Sequence, residues 1–146
     1  MNLETRQAKP EESERLSATL GIPAAELGQA LPSLKVCACP SGSVIVCQGE
    51  IGREVYVVLK GQVLVRRTRW LLIQRELARL GPGDLFGEIS FLVPAPRTAS
   101  VVAEGDCEVF RIGAEDLRRL LERRPELAAR IEEMARQRFY ALSAAG

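Results

Sequence analysis

The stretch Gly83-Asp84-Leu85-Phe86-Gly87-Glu88-Ile89-Ser90-Phe91-Leu92-Val93-Pro94-Ala95-Pro96-Arg97-Thr98-Ala99-Ser100 decides how the rest of the chain is read. It grows out of a turn, Gly81-Pro82-Gly83-Asp84, since Gly tolerates positive φ and Pro fixes φ near a turn value. Residues 87–92 predict a short helical segment with Glu88 at its start. Pro94 and Pro96 stop that helix, because proline lacks an N–H and clashes with the preceding turn. Arg97 to Val102 then reads as a strand. A helix N-terminus leaves unpaired N–H groups and a partial positive charge, which favour an anion. The planar fork of Arg97, five residues beyond the helix, can hold one phosphate through two hydrogen bonds. Glu88 repels a phosphate, but an ionised carboxylate accepts hydrogen bonds from sugar hydroxyls. The stretch therefore fits a ligand carrying phosphate and hydroxyl together. The alternative is a turn, a capped helix and an Arg–Glu surface pair.

Upstream, the apolar pattern has a period of two. Residues 34–39, 43–47, 55–59 and 62–66 are short β-branched runs, separated by Pro40-Ser41-Gly42, by Gly49 and Gly52, and by Lys60-Gly61. Such runs suggest a β-sandwich or barrel. Gly49, Gly52 and Gly61 read as turn residues with positive φ. Residues 74–80 return to a strand. Downstream, residues 100–103 and 107–112 read as two strands joined by a turn at Glu104-Gly105-Asp106.

The stretch 83–100 resembles the phosphate-binding cassette of cyclic-nucleotide-binding domains, found in protein kinase regulatory subunits, catabolite-activator transcription factors and cyclic-nucleotide-gated channels. Phe86-Gly87-Glu88, an apolar segment, and Pro96-Arg97-Thr98-Ala99-Ser100 carry the resemblance, together with the nine-residue step from Glu88 to Arg97. The upstream pieces, Ser41-Gly42, Gln48-Gly49-Glu50-Ile51-Gly52, Tyr56 and Gly61, are similar as well. The resemblance covers roughly residues 34 to 142. It implies an eight-stranded antiparallel jelly-roll β-barrel with N-terminal helices and two C-terminal helices. It divides the chain into a helical segment (1–33), the barrel (34–112) and the hinge and lid helices (113–146).

The resemblance also implies roles. Glu88 would accept from the ribose 2′-hydroxyl and Arg97 would bind the exocyclic phosphate oxygens. The backbone of Gly87, Ile89 and Ala99 would complete the cradle. Thr98 would offer its hydroxyl to the phosphate or to a guanine amino group. Val65 and Ala78 would line the base pocket, and Arg138 with Leu142 would close over the base from the last helix. The implied function is a cyclic-nucleotide sensor, cAMP favoured and cGMP possible, that couples ligand to movement of its C-terminal helix. A degenerate member of the fold, acting as an interaction module without nucleotide, is the alternative. The pattern departs from the family at residues 68–78, where Arg66-Arg67-Thr68-Arg69-Trp70 lacks a turn glycine. Trp70 plugs one end of the barrel in one reading and forms a partner surface in the other.

Other features bound the function. The chain has 146 residues and 47% apolar content, enough for one core. No apolar run approaches the ~18 residues of a membrane helix, and Met1 to Arg6 lacks a signal-peptide core. These point to the cytoplasm. Net charge is +1 with no basic block, so direct nucleic-acid binding is not expected. There is no histidine, which excludes His-based acid–base catalysis and Ser-His-Asp triads and argues against an enzyme. Cys37, Cys39, Cys47 and Cys107 read as buried free thiols rather than metal ligands, and no cofactor or metal is expected beyond the cyclic nucleotide.

Residues 1–9 read as a loose or weakly helical start. Pro10 with Glu11, Glu12 and Glu14 opens a helix running to about Leu20 and stopped by Gly21. A second helix spans 24–30, with Leu16, Leu20, Leu27 and Leu31 as the packing face. A helix opens at Gly113-Ala114, with Leu117, Leu120 and Leu121 facing the core. Another runs from Pro125 to about Leu142, with Leu127, Ile131, Met134, Ala135, Phe139 and Leu142 in one stripe. That stripe packs on its own barrel or on a twin chain, so a homodimer is one possible assembly. No helix-turn-helix pattern follows, so the output is expected in a partner protein or effector domain.

Overall fold

The structure is a computed structural model that describes residues 3–69, 73–88 and 95–145, with backbone alone from 139 onward. Helix α1 spans Pro10–Leu20 and α2 spans Ala24–Ala30. The N–H of Lys9 donates to Glu12 Oε1 at 2.9 Å, which satisfies one orphan donor at the start of α1. Gly21, at φ 71°, ends the helix in the left-handed conformation that glycine adopts without strain. Leu16 and Leu20, one turn apart, are both buried.

Seven strands follow the chain among the described residues: β1 (Glu4–Arg6), β2 (Lys35–Cys39), β3 (Val44–Val46), β4 (Val55–Arg69), β5 (Ile73–Leu80), β6 (Leu85–Phe86) and β7 (Ser100–Ile112). All pairings are antiparallel, in the order β1-β2-β7-β4-β5, with β3 also on β7 and β6 on β4. One edge of β7 is shared by β3 at Val101 and Val102 and by β2 from Cys107 to Arg111, while β4 takes the other edge. The path does not close between β1 and β5 among the described residues. This is an open antiparallel jelly roll with helices before and after it.

Three local expectations need correction. Runs 55–59 and 62–66 form one strand, because the ladder to β7 continues across Lys60-Gly61 with a register shift. Runs 100–103 and 107–112 likewise form one strand through Gly105, at φ 77°. Residues 4–6 are neither loose nor helical; they pair with β2 as an edge strand, held by Arg6, which reaches Glu12 and Glu108.

Alternation of side chains sorts two cores. One face of the sheet, through Val36, Val55, Val57, Phe110 and Ile112, packs against Leu16, Leu27, Leu31, Leu117 and Ile131 of the helices. The other face is the barrel interior: Cys37, Cys39, Val46, Tyr56, Val58, Val63, Phe86, Val101, Cys107 and Val109. Tyr56 and Phe86 stack there, centroids 5.1 Å apart. The four cysteines are free, and only Cys47 is less than buried. Helix α3 spans Ala114–Arg123 and α4 spans Pro125–Ala145. Leu127 and Ile131 join the helix-side core, so the first half of the α4 stripe packs on its own chain. Phe139 and Leu142 lie beyond the described side chains. No described helix is long and apolar enough to cross a membrane.

Candidate functional site

The cassette is built where β6 ends and before β7 begins. Gly87 has φ 88°, so the chain leaves β6 in a conformation that disfavours any side chain. Its carbonyl turns toward Arg97, whose Nη1 donates to it at 3.0 Å. Arg97 Nη2 donates to the carbonyl of Glu54, also at 3.0 Å, and the Glu54 carboxylate lies 3.9 Å away. The Arg97 backbone is pinned in turn: its N–H donates to Glu50 O at 2.8 Å, and its carbonyl accepts from Gly49 N–H at 2.9 Å. These bonds hold residues 97–99 out of the strand that the sequence suggests. β7 starts only at Ser100.

Arg97 is 6% exposed and Glu88 is 1% exposed. Neither is a surface charge, and they form no ion pair with each other among the described residues. Burial pulls the Arg97 guanidinium below its usual basicity, while Glu54 and Glu88 work against that shift. Glu88 pairs instead with α4: Arg138 Nη1 donates to Glu88 Oε1 at 2.7 Å and also to the carbonyl of Leu85. Only the Glu88 carboxylate is taken out of water, since the Arg138 side chain is 30% exposed, and a buried carboxylate persists only when bonded. The arrangement places a buried cation and a buried carboxylate on one cassette, with a distant helix reaching the carboxylate.

Thr98 is half-buried and Ala99 is buried beside Arg97. Val65 and Ala78 are direct cross-strand partners in β4 and β5, so they share a face despite the unusual hairpin. Ile89, the rest of the helical segment expected over 87–92, Trp70 and the Leu142 side chain lie outside the described residues.

Two contributors escape the sequence reading. Gly52 does not have positive φ, unlike Gly49 and Gly61. Its role is space: a Cβ there would lie 2.6 Å from Arg97 Cζ. Glu54 supplies a backbone carbonyl, which no side-chain motif can announce.

Residues 37–124 match the model of the cyclic nucleotide-binding domain. The chain belongs to the cyclic nucleotide-binding domain family. A cyclic AMP receptor protein of Thermus thermophilus is 36% identical over 119 residues, 82% of this chain and 55% of that protein. A CRP-like cAMP-activated global transcriptional regulator of Mycobacterium tuberculosis is 28% identical over 100 residues, 68% of this chain and 45% of the relative. The chain thus spans about half the length of these curated relatives. Among solved structures, the catabolite activator protein of Thermus thermophilus aligns with TM-score 0.73 and 34% identity, over 86% of this chain and 59% of that one. The regulatory domain of Toxoplasma gondii PKA, crystallised with cAMP, aligns with TM-score 0.75 and 25% identity, over 87% and 49%. The chain is a cyclic nucleotide-binding regulatory domain of this type.

Proposed function

We propose that this domain binds a 3′,5′-cyclic nucleotide, cAMP in preference to cGMP, and transmits occupancy through α4. The observation that carries the reading is the reach of Arg138 from α4 to Glu88, across 50 residues of sequence, onto the same cassette that buries Arg97.

The chemistry follows from the two charges. A cyclic phosphate carries one negative charge on two exocyclic oxygens, and the Arg97 fork suits two parallel hydrogen bonds. Nη1 and Nη2 now donate to backbone carbonyls, so the fork is oriented before ligand arrives. A ribose 2′-hydroxyl donates to the Glu88 carboxylate. The backbone at Gly87, Ile89 and Ala99 and the Thr98 hydroxyl supply further donors, and Val65 and Ala78 face the base. Those two offer no side-chain hydrogen bond to either base, and Thr98 suits both nucleotides, through the phosphate or a guanine amino group. The names of the relatives support cAMP. Leu142, four residues beyond Arg138 in α4, is the apolar residue assigned to the base in this reading.

A ligand shifts a conformational equilibrium only by its difference in affinity for the two states. Here that difference lies at Glu88, which serves both the ribose and Arg138. Residues 34–112 hold the ligand, 113–146 move, and the 1–33 helices pack on the same core. The effector is a partner protein or further domain.

Isothermal titration of ligand-free protein tests this. Micromolar affinity for cAMP, weaker for cGMP, is expected, with a loss of at least about 100-fold in Arg97→Ala, the size expected when a charged hydrogen-bonding group is removed. Arg97→Ala binding cAMP as tightly as the parent overturns the phosphate assignment. Absence of both heat and a melting shift in the parent leaves the fold as an interaction module.

A further inference from the structure

A cavity lies beside Arg97. It has a volume of about 190 Å³ at the end of the barrel near β1. Among the described residues, none of Glu88, Thr98, Ala99, Val65 or Ala78 lines it, so it is not the cassette. Among the described residues, Arg97 is the one cassette side chain in its wall.

Two donors in its wall, those of Tyr56 and Arg111, have no protein acceptor among the described residues. Tyr56 is only 8% exposed, and its hydroxyl, which has no hydrogen-bond partner among the described residues, opens to solvent in the cavity. Burial raises its pKa to about 12, so it remains a donor at neutral pH. Arg111, half-buried, also lines the cavity and forms neither hydrogen bond nor ion pair among the described residues. Tyr56 and Arg111 are direct cross-strand partners, so both side chains stand on one face. Lys35 is the partner of Arg111 on its other side. Two cations directly opposite each other destabilise a sheet unless an anion offsets them.

Two acids also line this cavity. Glu50 is exposed, and the Glu54 side chain is 45% exposed, near Arg97. The Glu54 charge acts on both Tyr56 and Arg97, so an anion here must outcompete a partly hydrated carboxylate. Cys37 adds no charge, because burial raises its pKa.

We infer that this cavity binds a small oxyanion, a phosphate or carboxylate group, between the Arg111 guanidinium and the Tyr56 hydroxyl. The volume admits an ion with a few waters. Arg111 supplies the charge in fork geometry, and Tyr56 adds a neutral donor.

The test is titration of the whole chain, without nucleotide, with inorganic phosphate and separately with acetate at low ionic strength. At least one ion binds the parent. Arg111→Gln weakens that binding at least tenfold and Tyr56→Phe several-fold, while Thr98→Val leaves it unchanged. Tyr56→Phe keeps the ring stacked on Phe86, so its effect reads the hydroxyl and not the fold. Binding of phosphate alone identifies a phosphate site, and of acetate alone a carboxylate site. No binding of either ion overturns the inference. So does binding that survives Arg111→Gln and is lost in Thr98→Val, which places the ion in the cassette. The outcome is independent of cAMP binding, so failure here and failure of the nucleotide reading are separate results.

Discussion

Two buried carboxylates make a useful contrast. Glu12, 3% exposed, and Glu88, 1% exposed, are each bonded to an arginine. At Glu12 the arrangement is closed. Arg6 Nη1 and Nη2 meet its two oxygens, each at 2.7 Å, and the Lys9 N–H adds a third bond. All three groups lie within six residues of sequence, so little chain must be ordered to form them. At Glu88 a single arginine nitrogen arrives from α4, and that arginine's side chain is 30% exposed. The first carboxylate is a local clamp. The second has one long-range, partly hydrated partner, which is the arrangement the proposed exchange with a ligand requires. Equal burial therefore does not imply equal purpose; what differs is how many bonds hold the group and how far away they originate.

The sharpest way to break this contrast is to remove each carboxylate and read both affinity and stability. Glu88→Ala is expected to lower cAMP affinity by about 10- to 150-fold, from the roughly 1.5–3 kcal/mol typical of a hydrogen bond to a charged group. It should also speed amide exchange in α4, because Arg138 loses its partner. Affinity measured by titration, unchanged from the parent, would sink the switch assignment for Glu88.

Gly52→Ala should act next most strongly. The added methyl would overlap Arg97, which is held on two sides by carbonyls and cannot step aside freely. An affinity loss of about 10- to 30-fold is expected, with the stability cost of overpacking, about 1–3 kcal/mol. A Gly52→Ala variant that binds like the parent shows that Arg97 tolerates displacement, and then the ligand rather than the protein orients its fork.

How much of this was legible beforehand depends on the kind of signal. Helix ends were marked by Pro10 and Gly21, and leucines one turn apart marked the buried face. The cassette was legible because its charges, Glu88 and Arg97, sit between glycine and proline landmarks in one short stretch. Strand continuity was not legible. Lys60-Gly61 and Glu104-Gly105-Asp106 look like turns, yet Gln62 pairs with Glu104 and the ladder bends without ending. A local window cannot show that a cross-strand partner is waiting. Strand β1 was hidden for the same reason, since Glu4-Thr5-Arg6 has no apolar alternation and depends on the edge of β2 and on ion pairs. The steric need for Gly52 was hidden by distance, 45 residues from the side chain it accommodates. Arg138 was placed by family resemblance, but its bond to Glu88 required the fold.

The clamp makes the complementary prediction. Glu12→Gln removes the charge and keeps an acceptor for Lys9. It should cost about 1–2 kcal/mol, or roughly 5 °C of melting temperature, and leave nucleotide affinity unchanged. Solvent trims the value because the Arg6 side chain is 37% exposed.

The same clamp has a pH signature of smaller size. The Arg6 guanidinium holds the Glu12 carboxyl at about 2, against an ordinary 4.5. A carboxyl whose folded pKa is depressed binds fewer protons folded than unfolded, so it contributes its full stability above pH 4.5. That contribution fades as pH falls through the interval from 4.5 toward 2. Melting temperatures of the parent and of Glu12→Gln should differ at pH 6 and converge toward pH 2, with most of the narrowing below pH 4.5. A gap that stays constant across this range would mean that the bonds of Glu12 do not depend on its charge. The clamp would then act through shape alone, and the contrast with Glu88 would rest on the origin of the partner, not on electrostatics.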